Sequence, residues 1–158
     1  MRKVRKALRK DIPRILELLV QVDMVHHMGR PDLFRGPATK YSAEELERIL
    51  ENEETPVFVW VDEKDIPQGH AFCIMKQVVG DSVLTDVRTL YIDDICVDES
   101  MRKQKIGEAL YQYVLDYARE QQCYNVTLNV WTCNPGAMKF YETMGMVPQK
   151  IGMEKILK

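Results

Sequence analysis

Two adjacent aspartates, Asp93 and Asp94, interrupt an otherwise apolar stretch of the chain. Such a stretch is typical of a β-strand, in which consecutive side chains point to opposite faces. One aspartate is therefore expected on each face of the sheet. A carboxylate in an apolar strand is costly unless it is used or paired. A carboxylate placed there can take a proton from an incoming group, which is the work of a general base.

A basic turn follows the same strand. The segment 98–107, DESMRKQKIG, carries Arg102, Lys103 and Lys105 just before an amphipathic run that predicts a long helix. Cations at the amino end of a helix oppose its dipole, so a sequence selected only for folding would tend to place acids there. The pattern suits an anion such as phosphate, bound by the free N–H groups of the helix start. The alternative is a solvated basic turn, neutralised by the two acids that open the segment.

Periodicity and capping signals predict the elements that position these groups. Strands are expected at 4–8, 56–61, 69–79, 89–97, 124–130 and 149–157, and helices after Asp11, Ser42, Lys105 and Asn134. The segment 26–40, with two prolines and two glycines, predicts a loop. The order β-α-α-β-β-β-α-β-α-β predicts one mixed α/β domain over residues 1–158, with a mostly antiparallel first half and one βαβ-like unit in the second.

Composition excludes several classes of protein. The chain has 158 residues, 29% of them charged, and a formal net charge of -2, which argues against a general nucleic-acid binder. The basic residues among the first fourteen fit a solvated edge strand and helix face. No pair of the four cysteines has metal-ligand spacing, and no apolar run is long enough to cross a bilayer. We therefore expect a cytoplasmic protein with no metal site and no nucleic-acid or membrane partner.

Two segments resemble the motifs of the GNAT N-acetyltransferase superfamily. Residues 93–110, DDICVDESMRKQKIGEAL, are similar to its motif A, in which a strand leads into an Arg/Gln-x-x-Gly-x-Gly/Ala turn and a helix. Residues 134–145, NPGAMKFYETMG, are similar to its motif B, Asn-x-x-Ala-x-x-Phe-Tyr-x-x-x-Gly, with every key position in register. Lys105 departs from motif A, because it stands in the place of the first glycine. Its ammonium can itself meet phosphate.

The resemblance implies the GNAT acyl-CoA N-acyltransferase fold, a mostly antiparallel twisted sheet flanked by helices, with acetyl-CoA as co-substrate. The implied cofactor-binding residues are Ile95, Cys96, Val97, Arg102, Lys103, Gln104, Lys105, Ile106, Gly107 and Asn134. Asn134 can alternatively serve only as a helix cap. Tyr141 is implied as the general acid that protonates the departing thiolate, with core packing as its alternative. Asp93 is implied as the base, with Asp94 supporting structure from the other face and ordered water as the other option.

The implied reaction is direct transfer of an acetyl group to a primary amine within a ternary complex. A small cationic acceptor is expected because Asp32, Asp93 and Asp94 offer negative charge. Acetylation of a protein N-terminus or lysine, and a CoA-binding regulatory module without turnover, are the alternatives. His26 and His27 lie in the loop that commonly borders the acceptor pocket in this family. The sequence leaves open whether the protein forms a homodimer.

Overall fold

A five-stranded sheet forms the centre of the computed structural model, which describes residues 3–158. The strands are β1 (Val4–Lys6), β2 (Val57–Val61), β3 (Pro67–Gln77), β4 (Arg88–Val97) and β5 (Asn125–Leu128). The helices are α1 (Ile12–Gly29), α2 (Ala43–Glu51), α3 (Ile106–Glu120) and α4 (Pro135–Thr143). The strands lie in chain order, antiparallel from β1 to β4, and β5 pairs with β4 in parallel. The predicted mixed α/β sheet is confirmed.

Helices cover both faces of the sheet. The helix α3 buries a stripe at helical spacing against one face, made by Ile106, Leu110, Val114 and Ala118. The helices α1 and α2 cover the other face, where Ile15, Leu19 and Leu46 pack with Val59. Burial of these stripes is the main favourable term in the fold. The helix predicted after Ser42 begins with a capping box, in which the Ser42 hydroxyl accepts from the Glu45 N–H and the Glu45 side chain accepts from the Ser42 N–H.

Two predicted elements differ from the structure. The predicted loop 26–40 was wrong in its first residues, because α1 continues to Gly29 and the Arg30 N–H closes its last turn on the His26 carbonyl. Pro13 lies in the first turn of α1, where proline is tolerated, and the next proline is Pro31. The last predicted strand, 149–157, forms no ladder with the described residues. Alternating apolar and polar residues predict an extended chain, but a β-strand forms only where a neighbouring strand hydrogen-bonds to it.

The basic residues at the start of the chain hold the fold together through ion pairs. Arg5 binds the buried carboxylate of Asp11 with two nitrogens, at 2.8 and 3.0 Å, and also reaches Asp65 at 3.1 Å. Lys10 pairs with the same Asp65. These cations therefore serve the structure, and Met1 and Arg2, which belong to the same basic stretch, lie outside the described residues.

The strands β4 and β5 separate part-way along their length. They pair only over Thr89–Ile92 and Asn125–Leu128. Beyond that point residues 93–97 keep β3 on one side, and no strand within residues 3–158 pairs with their other side. The second half of β4 thus offers an open backbone edge inside the sheet.

A β-bulge lies where the strands separate. Phe72 pairs with Asp94 and the next residue of β3, Cys73, pairs with Ile92, so Asp93 is an extra residue on β4. The expectation that the two aspartates point to opposite faces was therefore wrong. Asp94 contacts His70 and Asp93 contacts Tyr41, and the rings of His70 and Tyr41 both pack on Phe72. Both carboxylates lie on the face that α1 and α2 cover.

Asp98 anchors the turn that follows β4. Its carboxylate accepts from the Ser100 N–H at 2.8 Å and from the Ser100 hydroxyl at 2.6 Å, and it pairs with Arg14 of α1. The Ser100 hydroxyl, followed by Arg14, holds the pKa of Asp98 well below its usual range. Asp98 is therefore occupied elsewhere and does not neutralise the basic turn.

We expect Asp98→Asn to lower the free energy of unfolding by about 2 kcal/mol at pH 7, since hydrogen bonds to a charged group each contribute about 1.5–3 kcal/mol. A carboxylate with a lowered folded-state pKa stabilises the protein above its unfolded pKa, near 4, and loses this contribution as the pH falls through the folded value. Urea unfolding should show that the parent and Asp98→Asn differ less in their free energy of unfolding at pH 3 than at pH 7. The control is Glu99→Gln, at the exposed neighbouring residue, which should change the free energy of unfolding little. An equal loss at both pH values would contradict this role.

Candidate active site

The helix α3 begins without a capping side chain. Its N-cap is Lys105, whose side chain carries no acceptor for the N–H groups of the first turn. Arg102, Lys103 and Lys105 are exposed, and within residues 3–158 none has a carboxylate within 4 Å. An uncapped helix start surrounded by free cations is suited to binding an anion.

Lys105 adopts the backbone conformation that glycine favours. Its φ is 61° and its ψ is 24°, in the left-handed region, and Lys103 has a φ of 68°. A residue with a Cβ loses roughly 1–2 kcal/mol in that region. The turn therefore keeps the shape that a glycine at position 105 would favour, although a lysine occupies it.

The open edge of β4 meets the start of α3 and the helix α4. A Cβ added at Gly107 would lie 3.5 Å from the Phe140 ring and 3.7 Å from Val97 Cγ2. Ile95 and Val97 pack against the α3 side of the sheet, and Cys96 is buried on the other side, where its thiol contacts the Leu18 carbonyl at 3.4 Å. The fold therefore brings the two predicted groups of cofactor-binding residues, on the strand and on the turn, next to each other.

The helix α4 places Asn134 and Tyr141 beside this edge. The Asn134 Oδ1 accepts from the Ala137 N–H at 3.3 Å, so Asn134 caps the helix. Its amide nitrogen has no hydrogen-bond partner within residues 3–158 and can donate to a ligand. The Tyr141 ring packs against the rings of Phe140 and Tyr111, with distances of 5.2 and 6.4 Å between ring centroids. Burial, followed by the nearby charge of Asp94, raises the pKa of Tyr141 far above its usual value. Tyr141 therefore keeps its proton at neutral pH.

Asp93 lies at one wall of a cavity on the opposite side of β4. The cavity has a volume of about 340 Å³, and Tyr41, Glu45, Arg48 and Phe72 also line it. The Asp93 Oδ2 accepts from the Lys40 ammonium at 2.5 Å and from the Tyr41 hydroxyl at 3.3 Å. An ammonium group thus already lies on the carboxylate that the sequence predicts as the base.

Asp94 forms a pair with His70, a residue that the sequence analysis missed. His70 is fully buried on β3, and its Nε2 lies 3.0 Å from Asp94 Oδ2. Its Nδ1 is buried and has no hydrogen-bond partner among residues 3–158. The sequence signal was a single histidine inside the apolar strand β3. Such a pair can hold or relay a proton, so Asp94 has a partner suited to acid–base work.

The predicted acceptor loop is held by aromatic contacts. The His26 ring packs on the Phe34 ring, with 4.9 Å between the ring centroids. The Phe34 ring in turn meets the Trp131 ring edge-on, with 5.2 Å between the centroids. The His27 Nδ1 lies 2.7 Å from the Phe34 carbonyl oxygen. Both histidines therefore fix the loop against the end of α1. Asp32 in the same loop is bound by Arg30, at 2.8 and 2.9 Å. Each of the three aspartates expected to attract a cation thus already has a basic partner.

The family of this chain follows from its similarity to known proteins. The model of the Acetyltransferase (GNAT) family matches residues 22–146. The chain belongs to the GNAT acetyltransferase family. The resemblance predicted from motifs A and B is confirmed, and with it the fold. Members of this family use acetyl-CoA as co-substrate.

Individual relatives of this GNAT protein are distant in sequence. It is 31% identical to glucosamine 6-phosphate N-acetyltransferase of Arabidopsis thaliana over 65 residues, which is 41% of this chain and 42% of that protein. The chain thus matches less than half of that relative's length. A mutant of the Bacillus halodurans protein BH1408 has a TM-score of 0.93 and 28% identity, covering 98% of this chain and 99% of that chain.

The fold itself is shared more widely. The solved structure of the Arabidopsis thaliana glucosamine-6-phosphate N-acetyltransferase has a TM-score of 0.70 and 21% identity, over 99% of this chain and 98% of that chain. At this identity the likeness shows the fold alone. Within residues 3–158, no helix has the length and apolar character needed to cross a membrane.

The conformation of Lys105 generates a matched pair of variants. Lys105→Gly should raise the free energy of unfolding by about 0.5–1 kcal/mol, because it removes a Cβ from a left-handed residue, whereas Lys105→Ala keeps that Cβ and should not. If the ammonium meets phosphate, both variants should bind acetyl-CoA about 1 kcal/mol more weakly, and the loss should shrink at high salt. Chemical denaturation and calorimetric titration measure the two effects. Tighter binding by the glycine variant would refute the phosphate contact.

Proposed function

We propose that this GNAT protein transfers an acetyl group from acetyl-CoA to the primary amine of a small cationic acceptor, by direct attack in a ternary complex. One observation carries the proposal. The open edge of β4, the uncapped basic start of α3 and the protonated Tyr141 meet on one side, while Asp93 lines a cavity on the other. The proposed donor and acceptor sites thus adjoin the same five residues of β4, 93–97.

The residues present fit acetyl-CoA. The N–H groups and cations of 102–107 would hold its pyrophosphate, and the open backbone of 95–97 would pair with its pantetheine arm as an added strand does. The free amide nitrogen of Asn134 can donate to the same arm. When bound, acetyl-CoA supplies an acetyl group activated as a thioester.

Tyr141 is proposed as the general acid. Its hydroxyl is protonated at neutral pH, as that of any tyrosine is, and burial raises its pKa further. No hydrogen bond joins this hydroxyl to another residue among 3–158. Its proton is therefore available to the sulfur of the departing thiolate. The aromatic contacts with Phe140 and Tyr111 fix the ring and so orient the hydroxyl.

Asp93 is proposed as the base for the acceptor ammonium. The Lys40 ammonium forms an ion pair with the Asp93 carboxylate at 2.5 Å. Because the Lys40 side chain is about half exposed, an incoming ammonium can displace it into solvent. The Tyr41 hydroxyl, at 3.3 Å, would remain to orient the carboxylate. Because the bulge places Asp94 and His70 on the same face, this pair is the alternative proton acceptor.

The nature of the acceptor rests on the cavity and on one relative. Glu45 and Asp93 line the cavity with carboxylates, and an acceptor ammonium can pair with Asp93 once it has displaced Lys40. The relative in Arabidopsis thaliana is named for glucosamine 6-phosphate, a small amine. Arg48 also lines the cavity, and a guanidinium can bind an anionic group on the same acceptor.

An assay of thiol release from acetyl-CoA across an amine panel tests the function. The panel contains polyamines, amino sugars with and without phosphate, and peptides with a free N-terminus or lysine. We expect turnover with a small amine. Tyr141→Phe should lower it about a hundredfold to ten-thousandfold while the melting temperature changes little, because only the hydroxyl is lost. The control Tyr113→Phe removes a hydroxyl from a ring that packs on Phe58, and should keep activity.

Two outcomes of this assay would contradict the proposal. Acetyl-CoA binding with no thiol release for any amine would indicate a regulatory module. Full activity of Tyr141→Phe on the best acceptor would make Tyr141 a packing residue, with water or substrate supplying the proton.

The isosteric variants Asp93→Asn and Asp94→Asn separate the two candidate bases. Without its base, the enzyme must bind an amine that has already lost its proton in bulk solvent. Asp93→Asn should therefore lower kcat/KM at pH 7 by roughly a hundredfold or more, with recovery as the pH approaches the pKa of the free amine. Asp94→Asn should leave the shape of the pH–rate profile unchanged. The reverse result would assign the base to Asp94 and its partner His70.

A further inference from the structure

The Lys40 ammonium lies where the acceptor amine is proposed to react. Its Nζ is 2.5 Å from the Asp93 Oδ2 and 5.5 Å from the centre of the Tyr41 ring. Within residues 3–158, the Tyr41 hydroxyl is the other group that hydrogen-bonds to this carboxylate. A lysine side chain ends in a primary amine that is protonated in water, which is the chemical group of the proposed acceptor. Lys40 is therefore a resident primary amine on the candidate base.

The segment that carries Lys40 is loosely held. Within residues 3–158, no backbone hydrogen bond joins residues 35–41 to the rest of the chain. The Thr39 hydroxyl donates to the Tyr41 carbonyl, and this bond stays within the segment. About half of the Lys40 side chain is exposed, and its stem of about four carbons is flexible. The Lys40 amine can therefore shift along β4 without disturbing the packed core.

A second lysine forms a matched ion pair elsewhere in the molecule. The Lys10 ammonium lies 2.5 Å from the Asp65 Oδ2, and the Lys10 side chain is 59% exposed, against 51% for Lys40. Asp65 belongs to the turn between β2 and β3, whereas Asp93 belongs to the open stretch of β4, residues 93–97. The two pairs thus match in distance and in exposure, and they differ in whether the proposed donor site adjoins them.

We propose that the enzyme acetylates its own Lys40 when no acceptor is present, and that this modification removes the cation that competes with the acceptor for Asp93. The inference rests on the proposed function, because it uses the same donor, base and acid. The structure offers the amine at the position that any acceptor must take on Asp93. An enzyme able to acetylate an amine at this position therefore has Lys40 as its first available substrate.

The transfer balances in atoms and protons. Asp93 takes a proton from the Lys40 ammonium, and the freed Nζ attacks the carbonyl carbon of the thioester. A C–N bond forms, the C–S bond breaks, and the departing thiolate takes a proton from Tyr141. Of the two protons that the lysine nitrogen loses, one replaces the proton of Tyr141 and the other passes to solvent. The products are acetyl-Lys40 and free CoA thiol.

The modified enzyme should bind its acceptor more tightly. Acetylation removes the charge of Lys40, and with it the ion pair to Asp93. An arriving ammonium then has no resident cation to displace. A partly exposed ion pair contributes enough to stability for its loss to lower the KM of the acceptor about twofold to fivefold. The first turnover of each enzyme molecule thus prepares the site for those that follow.

Intact-mass spectrometry of the full-length chain, with acetyl-CoA and no amine, tests the modification. We expect the parent to gain the mass of one acetyl group, and peptide mapping should locate it on Lys40 and not on Lys10. Because the transfer occurs within one chain, its rate constant should not depend on protein concentration. Tyr141→Phe should slow it about a hundredfold or more, which separates enzymatic transfer from direct reaction of lysine with acetyl-CoA. Lys40→Arg should gain no acetyl group.

Acceptor kinetics test the consequence of the modification. Lys40→Gln is neutral, as acetyl-lysine is, and its KM for the best amine should lie about twofold to fivefold below that of Lys40→Arg, which keeps the cation. The control Lys10→Gln removes the matched ion pair with Asp65 and should leave the KM of the parent unchanged. Equal KM values for Lys40→Gln and Lys40→Arg would overturn the competition for Asp93.

The failure of this inference differs from failure of the proposed function. Turnover of external amines without acetylation of Lys40 would overturn the inference and leave the proposed function standing. Binding of acetyl-CoA with neither reaction would overturn both. Acetylation spread equally over Lys10 and Lys40, or a rate constant proportional to protein concentration, would overturn transfer within the chain.

Discussion

The candidate site depends on the separation of β4 from β5 part-way along the two strands. A parallel pair that stayed together over the full length of β4 would satisfy its backbone and leave nothing for a ligand. Here the pair ends at Ile92 and Leu128, and residues 93–97 keep hydrogen-bonding capacity on one side. The cost of an unfilled edge is acceptable only where another molecule completes it. The molecule proposed to complete this edge is acetyl-CoA, the co-substrate of the GNAT family.

The bulge at Asp93 and the anchor at Asp98 set the two ends of that open edge. The bulge inserts one residue and so places two carboxylates on the face that α1 and α2 cover, each with a different partner. Asp98 ties the other end to α1 through Arg14 and shapes the turn through Ser100. The basic turn that follows is thereby held next to the open edge, with Lys105 in a left-handed conformation at the start of α3.

Local signals in the sequence predicted the framework, and long-range contacts limited the prediction of the site. The cap at Asn134 and the capping box of Ser42 depend on neighbouring residues, and the structure has both. The bulge depends on the register of two strands, so alternation alone gave the wrong face for one aspartate. The Lys40–Asp93 pair joins residues 53 apart in sequence, and no local pattern indicates it.

Hydrogen exchange with and without saturating acetyl-CoA tests most directly whether the open edge and the α3 start bind the co-substrate together. We expect slower exchange at the amides of residues 95–97 and 102–107, with no change in β2 at the far side of the sheet. The variant Gly107→Asp should lose this protection while remaining folded, because a Cβ there meets only ordinary contacts and its charge repels phosphate. Protection absent from either segment at saturation, or found only elsewhere, would contradict the claim that the open edge and the α3 start bind acetyl-CoA together.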